Sequence, residues 1–267
     1  MSTQVIEIIP NPISLSPFNL INLSYPTNFY LLNDPIVGSA GNDILSVANR
    51  AETQILAGGG NDVLQGDDTN NLLDGESGID TVVYQQDPSG VEVDLAAELA
   101  KDGYGCSDLV REIENIIGSE FNDLLAGDDN RNSLTGRNGN DEINGRGGDD
   151  YLVGSSGQDF LTGGTGSDRF VYLSPNDGTD TIADFESGVD KITVVSSAFG
   201  GELSTGSLSI EQFGFGSNAT NILQRFIFDD TTGDLLFDVD GSGAASQQLI
   251  ANIGLGASFS ANDIELL

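Results

Sequence analysis

Apolar residues in the middle of this chain recur every nine positions, in fixed phase with a glycine and an acid. From Gly118 to Val171, six nine-residue units follow one another without a slip. Each opens on glycine: Gly118, Gly127, Gly136, Gly145, Gly154 and Gly163. The sixth position holds Asp123, Asn132, Asp141, Asp150, Asp159 and Asp168; the eighth holds Leu125, Leu134, Ile143, Leu152, Leu161 and Phe170. The pattern predicts a coil made of a loop and then a very short strand, repeated.

Three residues around an inward Leu or Ile make a strand too short to pair stably alone. Stacked on copies above and below, such strands form a parallel sheet about 4.8 Å apart, with the eighth position filling the interior. The loop between strands must turn sharply, and its glycines supply positive φ. A glycine-rich turn also aims its backbone carbonyls at a common centre. Ca²⁺ takes roughly six to eight hard oxygens, which carbonyls and an Asp carboxylate provide. One turn has too few, so the expected ion sits between turns, and binding and stacking become one event.

Each full coil consumes about two units, so alternate units stack on one side. That pairs Asp123 with Asp141 and Asp141 with Asp159 on one side, and Asp150 with Asp168 and, more weakly, Asn132 with Asp150 on the other. The candidate ligand loops add Gly118, Gly136, Gly139, Gly145, Gly148, Gly154, Gly157, Gly163 and Gly166. Phe121 replaces the fourth-position glycine beside Asp123, and Asn132 lacks charge, so both weaken their loops.

A worn set of the same units runs over 38–84. Asp43, Asp62 and Asp80 hold the sixth position, with Thr53 and Asn71 in degenerate units; Leu45, Ile55, Leu64, Leu73 and Val82 hold the eighth. One extra residue near Val47 predicts a bulge, and at least one good site is expected between Asp62 and Asp80. Residues 1–37 carry five of the seven prolines and read as an irregular cap or a tail, with short strands at Val5–Ile9 and Phe29–Leu32. Residues 85–117 read as a connector coil. Val91–Leu95 alternates as a strand, Leu95–Lys101 suits a single helical turn, Ile113 and Ile116 enter one more coil without a metal loop, and Glu114 faces solvent.

After 118–172 the pattern becomes ordinary β, and 173–267 is expected to form a β-rich cap. Thr179–Ala183, Lys191–Val195, Leu249–Ile253 and Ile264–Leu267 read as strands of a small sheet, and Phe226–Phe228 with Leu235–Phe237 as a hairpin. Asp67, Asp68, Asp128 and Asp129 read as turn acids, and Asp238–Gly243 as a β-turn despite its likeness to the start of an EF-hand loop. The fold class expected is all-β: a parallel β-solenoid with an irregular N-terminal segment and a C-terminal cap.

Charge sharpens this picture. The chain of 267 residues carries 42 acidic and 9 basic residues, a net −33. Stacked Asp side chains about 5 Å apart repel by roughly 3 kcal/mol per pair at an effective dielectric of about 20. Without a cation the ladder opposes its own fold, so the chain is expected to be unfolded or molten without calcium. The same charge argues against nucleic acid and anionic membrane surfaces as partners, and no 18-residue apolar run suits membrane insertion. There is no histidine, which excludes Ser-His-Asp, Cys-His and zinc-histidine chemistry. No serine sits at nucleophile-elbow spacing, and no carboxylate pair stands out for sugar hydrolysis. The single Cys106 excludes an intrachain disulfide and reads as a half-buried small residue.

Gly139–Leu152 and Gly163–Phe170 carry a resemblance to the RTX (repeats-in-toxin, haemolysin-type) calcium-binding proteins of bacteria. The lead-in Ile113–Asp123 and the following segment Asp180–Ile192 resemble the same family. The resemblance implies a parallel β-roll, several Ca²⁺ between adjacent turns, and export by a type I secretion apparatus through an uncleaved C-terminal signal. That suits an N-terminus whose first basic residue is Arg50. It also implies that Asp177 and Asp180 complete the last site. Asn262–Leu267 resembles such a signal or is a plain last strand. The expected protein is secreted, extracellular or on the cell surface, without a cleaved signal peptide. Its expected role is structural, adhesive or matrix-forming, with cell-surface or polysaccharide partners. The alternatives are a polysaccharide-acting exoenzyme using acidic residues, and a bare folding-and-export module.

Overall fold

A computed structural model describes residues 34–47, 53–256 and 258–267. The strands expected at Val5–Ile9 and Phe29–Leu32 lie outside these residues, as do positions 48–52 beside the bulge expected at Val47. The chain is a parallel β-roll. Two sheets face each other, one of 14 strands and one of 10, and the chain alternates between them.

Eighth-position residues make the interior, in register coil after coil. In the larger sheet Ile55 lies beside Leu73, and Leu125 beside Ile143 and then Leu161. In the smaller sheet Leu45, Leu64, Val82, Ile116, Leu134, Leu152, Phe170 and Ile192 follow one another. From Leu64 to Ile192 this second row has no exposed surface. Each such side chain contributes about 1.5–3 kcal/mol by leaving water. That burial holds strands of only three residues, such as Leu124–Ala126 and Phe160–Thr162.

Two regions depart from expectation. The stretch Leu95–Lys101 is not helical; it is a tight reversal followed by the strand Leu99–Lys101. Glu92–Asp94, Leu99–Lys101 and Ser107–Arg111 form an antiparallel meander inside the larger sheet. Its outer strands pair in parallel with Leu72–Asp74 on one side and Leu124–Ala126 on the other. The smaller sheet meanwhile steps directly from Val82 to Ile116. One coil therefore has three strands on one face and one on the other.

The C-terminal strands do not make a separate small sheet. Asp180–Ile182 and Lys191–Val194 extend the two faces of the roll in parallel, and Ile264–Leu266 pairs in parallel with Lys191–Val194. The expected hairpin is present: Phe226–Asp229 pairs antiparallel with Asp234–Phe237, which joins Gln248–Asn252. Phe199, Phe213, Phe226, Phe228, Phe237 and Phe259 pack ring on ring and close the end of the core.

Candidate metal sites between the coils

Each loop ends on its sixth-position acid, and an amide of the preceding coil fixes how most of these acids point. The Asp141 Oδ1 accepts the Asp123 amide at 2.8 Å, and the Asp159 Oδ1 accepts the Asp141 amide at 2.8 Å. The Asp180 Oδ1 accepts the Asp159 amide at 3.1 Å. On the opposite edge Asp150 receives the Asn132 amide at 3.0 Å, and Asp190 the Asp168 amide at 3.0 Å. In the worn block Asp62 takes the Asp43 amide and Asp80 the Asp62 amide, at 2.8 and 2.7 Å. One carboxylate oxygen is thus spent on the neighbouring coil, leaving the other for the loop interior. The Oδ2 atoms of Asp62, Asp80 and Asp141 are buried there without any hydrogen-bond partner.

Glycine makes the room. A Cβ at Gly118, Gly136, Gly154 or Gly163 would stand 2.1–2.5 Å from the Oδ2 of the acid ending its own loop. At the fourth position Gly139, Gly148 and Gly166 have φ of +133°, +124° and +143°; a Cβ on Gly166 would lie 1.7 Å from the Gly148 carbonyl oxygen. Gly157 stacks in the same way on the Gly139 carbonyl, and the Gly145 carbonyl lies against Gly127. The loops therefore superpose backbone on backbone, with no side chain to separate carbonyls from carboxylates.

The carboxylates come together in the pairs expected from the nine-residue phase. Asp141 is pushed up to about 8, first by burial and then by the charges of Asp159 and Asp123. Burial raises Asp168 to about 8 as well, with Asp150, Asp190 and Asp184 adding repulsion. Asp180 rises to about 8 and Asp159 to about 6; burial dominates both, and Asp177 adds repulsion to each. Asp80 rises to about 6 through burial, Glu114 and Asp62. Asp123 is raised chiefly by burial, and Asp43, held by the Ser39 amide and hydroxyl, is lowered. Asp177 spends its Oδ2 on the Leu173 and Ser174 amides at 2.6 and 2.8 Å.

Several ladder members escape sequence reasoning. Glu114 does not face solvent: it is half-buried and its Oε2 accepts the Asp80 amide at 2.7 Å, so its longer side chain fills the rung of an Asp. Asp108 takes the Asn71 amide at 2.8 Å. Asp184 caps the Gly163 and Gly164 amides at 2.7 Å each, and Asp263 takes the Gly188 amide at 2.9 Å. A signal existed for Asp190, since Gly188-Val-Asp190-Lys-Ile192 repeats the spacing of Gly166-Ser-Asp168-Arg-Phe170. None existed for Asp108, whose neighbours have no such phase.

Among the described residues no three acidic side chains converge as a ready cage. An ion between coils would therefore draw on carboxylate pairs and stacked carbonyls. The arrangement fits a hard cation on two grounds: buried carboxylate oxygens lack donors, and the glycines keep the space beside them clear. Thr53 and Asn71 fit less well, offering neutral buried oxygens, Oγ1 and Oδ1, without partners.

Fold and loops together define a parallel β-roll with acidic, glycine-cradled turns. Residues 31–266 match the family model described as Peptidase M10 serralysin C terminal, and the chain belongs to that family. Among solved structures it is similar to the extracellular lipase LipA from Serratia marcescens, at 19% identity and a TM-score of 0.34, over 88% of this chain and 40% of the lipase chain. The chain thus spans less than half the length of that protein. No curated protein gives a significant match.

Proposed function

We propose that this chain is a calcium-binding β-roll of a secreted or cell-surface bacterial protein, folding when it meets extracellular calcium and serving a structural, adhesive or matrix role. The observation that carries the reading is the set of buried carboxylates at Asp62, Asp80 and Asp141, each with one oxygen on the neighbouring coil and the other without a donor. Membership of a family named for the C-terminal part of a peptidase supports a non-catalytic module.

Bound calcium supplies positive charge and a demand for oxygen ligands between successive coils. Asp62, Asp80, Asp123, Asp141, Asp150, Asp159 and Asp168 would hold it, with Asp177 and Asp180 at the last repeat and Asp43 at the first. The chain's own residues do the rest. Amides of one coil orient the carboxylates of the next, and the glycines exclude side chains from the loops. Where the charges are neutralised, the apolar eighth positions close the roll; where they are not, burial of like charges opposes closure.

Circular dichroism during calcium titration of the full chain, with chelator reversal, tests this. Strand signal gained with calcium and lost with chelator is expected; a fold indifferent to both would overturn the reading. Export through a type I apparatus, with Ile264–Leu266 inside the signal, is part of the same proposal. Fusing residues 173–267 to a cargo and assaying its secretion tests that part.

A further inference from the structure

Beside the ladder of acids runs a second ladder, built from the residue just before each acid. The Asn42 Oδ1 accepts the Asn61 amide at 2.9 Å, and the Asn61 Oδ1 accepts the Ile79 amide at 3.3 Å. In the regular block the Asn122 Oδ1 accepts the Asn140 amide at 2.9 Å, and the Asn140 Oδ1 the Gln158 amide at 3.0 Å. On the opposite edge the Asp149 Oδ1 takes the Ser167 amide at 3.0 Å. These fifth-position side chains are exposed on the outer rim, whereas the sixth-position acids beside them are mostly buried.

The two ladders run in opposite directions. A sixth-position carboxylate takes an amide of the preceding coil, while a fifth-position side chain takes an amide of the following one. Adjacent loops are therefore clasped reciprocally: the Asn61 amide goes to Asn42 while the Asp43 amide goes to Asp62. Asn122-Asp123 and Asn140-Asp141 are clasped in the same way, as are Asn140-Asp141 and Gln158-Asp159. The connector repeats the device outside the nine-residue phase. There the Asn70 Oδ1 accepts the Ser107 amide at 3.0 Å and the Asp108 Oδ1 the Asn71 amide at 2.8 Å, across 37 residues. Recurring where the phase is broken, the clasp belongs to the stacking of loops and not to repetition of sequence. It lapses where the fifth position offers no acceptor. After Ile79 and Arg131 only the sixth-position bond continues, the Asp80 amide on Glu114 and the Asn132 amide on Asp150.

We propose that the fifth-position asparagines, Asn61, Asn122 and Asn140, are positioning residues that couple neighbouring calcium sites, so that an ion ordering one loop orders the next. The inference rests on the calcium reading above. Asn140 shows the logic. Its loop lies between those of Asp123 and Asp159 and is tied to both, by its own side chain and amide and by the side chain and amide of Asp141. Opposed bonds on adjacent residues are both lost if a loop slips by one position, so the clasp holds the carboxylates of successive coils in register. Such nearest-neighbour ties make a repeat array order cooperatively. The asparagines are neutral, so they add the tie without adding to the charge an ion must offset.

Calcium titration of the full chain by circular dichroism, with hydrogen exchange read at the Gln158 amide, tests this. Asn140→Ala is expected to flatten the titration and raise its midpoint about twofold, since one hydrogen bond changes an equilibrium about fivefold and several ions share the effect. Exchange at the Gln158 amide should rise in saturating calcium while Leu125 and Leu161 stay protected. Asn140→Asp keeps the acceptor, as Asp149 does on the other edge, and should keep the steepness. Arg131→Asn places an acceptor before the Asp149 amide and should steepen the titration; Tyr151 retains Arg169 over its ring at 5.1 Å. An Asn140→Ala titration as steep as the parent's would overturn the coupling even if its midpoint moved, because a residue that only stabilises the fold shifts the midpoint alone. Should that variant fail to fold, unchanged steepness in Arg131→Asn overturns it instead. A parent chain indifferent to calcium would overturn the calcium reading and the coupling with it; a responsive parent with unaltered variants overturns the coupling alone.

Discussion

The regular block and the connector solve the same problem of stacking in opposite ways. Between residues 118 and 172 every coil adds one strand to each sheet, and Asp123, Asp141, Asp150 and Asp159 each accept an amide of the preceding coil and have a glycine beside them. Between 85 and 117 the chain runs ahead by two strands, returns antiparallel, and only then rejoins the stack. In the first region position in the repeat dictates each contact. In the second, contacts arise from a local excursion: Asp108 takes the Asn71 amide and Asp87 the Gly103 amide, pairs of no common spacing. Periodicity makes contacts that can be counted from sequence; its interruption makes contacts that can only be seen in three dimensions.

Changes in the regular block should cost most. Phe170 is fully buried and contacts Phe185 at 6.0 Å, so Phe170→Ala should lose about 3–5 kcal/mol of calcium-loaded stability in denaturant unfolding. Gly166→Ala should cost about 3 kcal/mol, combining an unfavourable φ with a clash on the Gly148 carbonyl. Equal unfolding midpoints for parent and variant would show that the loops are not stacked backbone on backbone.

Asp141→Asn separates charge from shape. In chelator it should stabilise whatever structure remains, since it removes a carboxylate opposed by burial, Asp159 and Asp123; in calcium it should destabilise by about 1–3 kcal/mol. The same sign in both conditions would contradict the ladder.

Acidity follows the same logic. Burial pushes Asp141, Asp168 and Asp180 up to about 8 and Asp80 and Asp159 to about 6, all above the ordinary carboxylate value of 3.8. The fold therefore binds protons more tightly than the unfolded chain, so its ion-free stability is greatest below about pH 4 and is lost as pH rises through about 6 to 8. In chelator, strand signal should grow on acidification from pH 8 to about 5. Saturating calcium should flatten this dependence, and a loss of structure on mild acidification in chelator would refute it.

The smallest effect belongs to the bridge between the two regions. Arg146 holds both Asp94 carboxylate oxygens at 2.7 Å and the Gly127 carbonyl, joining a repeat loop to the meander. Both side chains remain partly exposed, so Arg146→Ala should cost only about 1 kcal/mol. Hydrogen exchange should rise first in 92–101 and leave Ile143 and Leu161 protected.

The roll and its carboxylate pairs were legible because one residue in nine reports burial and another reports charge. The phase from Gly118 to Phe170 also foretold which acids meet across coils. It failed where contact does not follow phase. Glu114 joins the ladder because its longer side chain still reaches the Asp80 amide. The Leu95–Lys101 stretch was misread because Glu98 adopts φ of +56°, reversing the chain where a helical turn was expected. Asp190 was readable in retrospect, since its Gly-x-Asp-x-Ile spacing continues the repeat beyond Val171.

Anomalous diffraction from crystals grown in abundant calcium measures the central claim directly. Peaks are expected between the loops ending on Asp123 and Asp141, Asp141 and Asp159, and Asp150 and Asp168. Density there that refines as water, with no anomalous signal, would contradict the account.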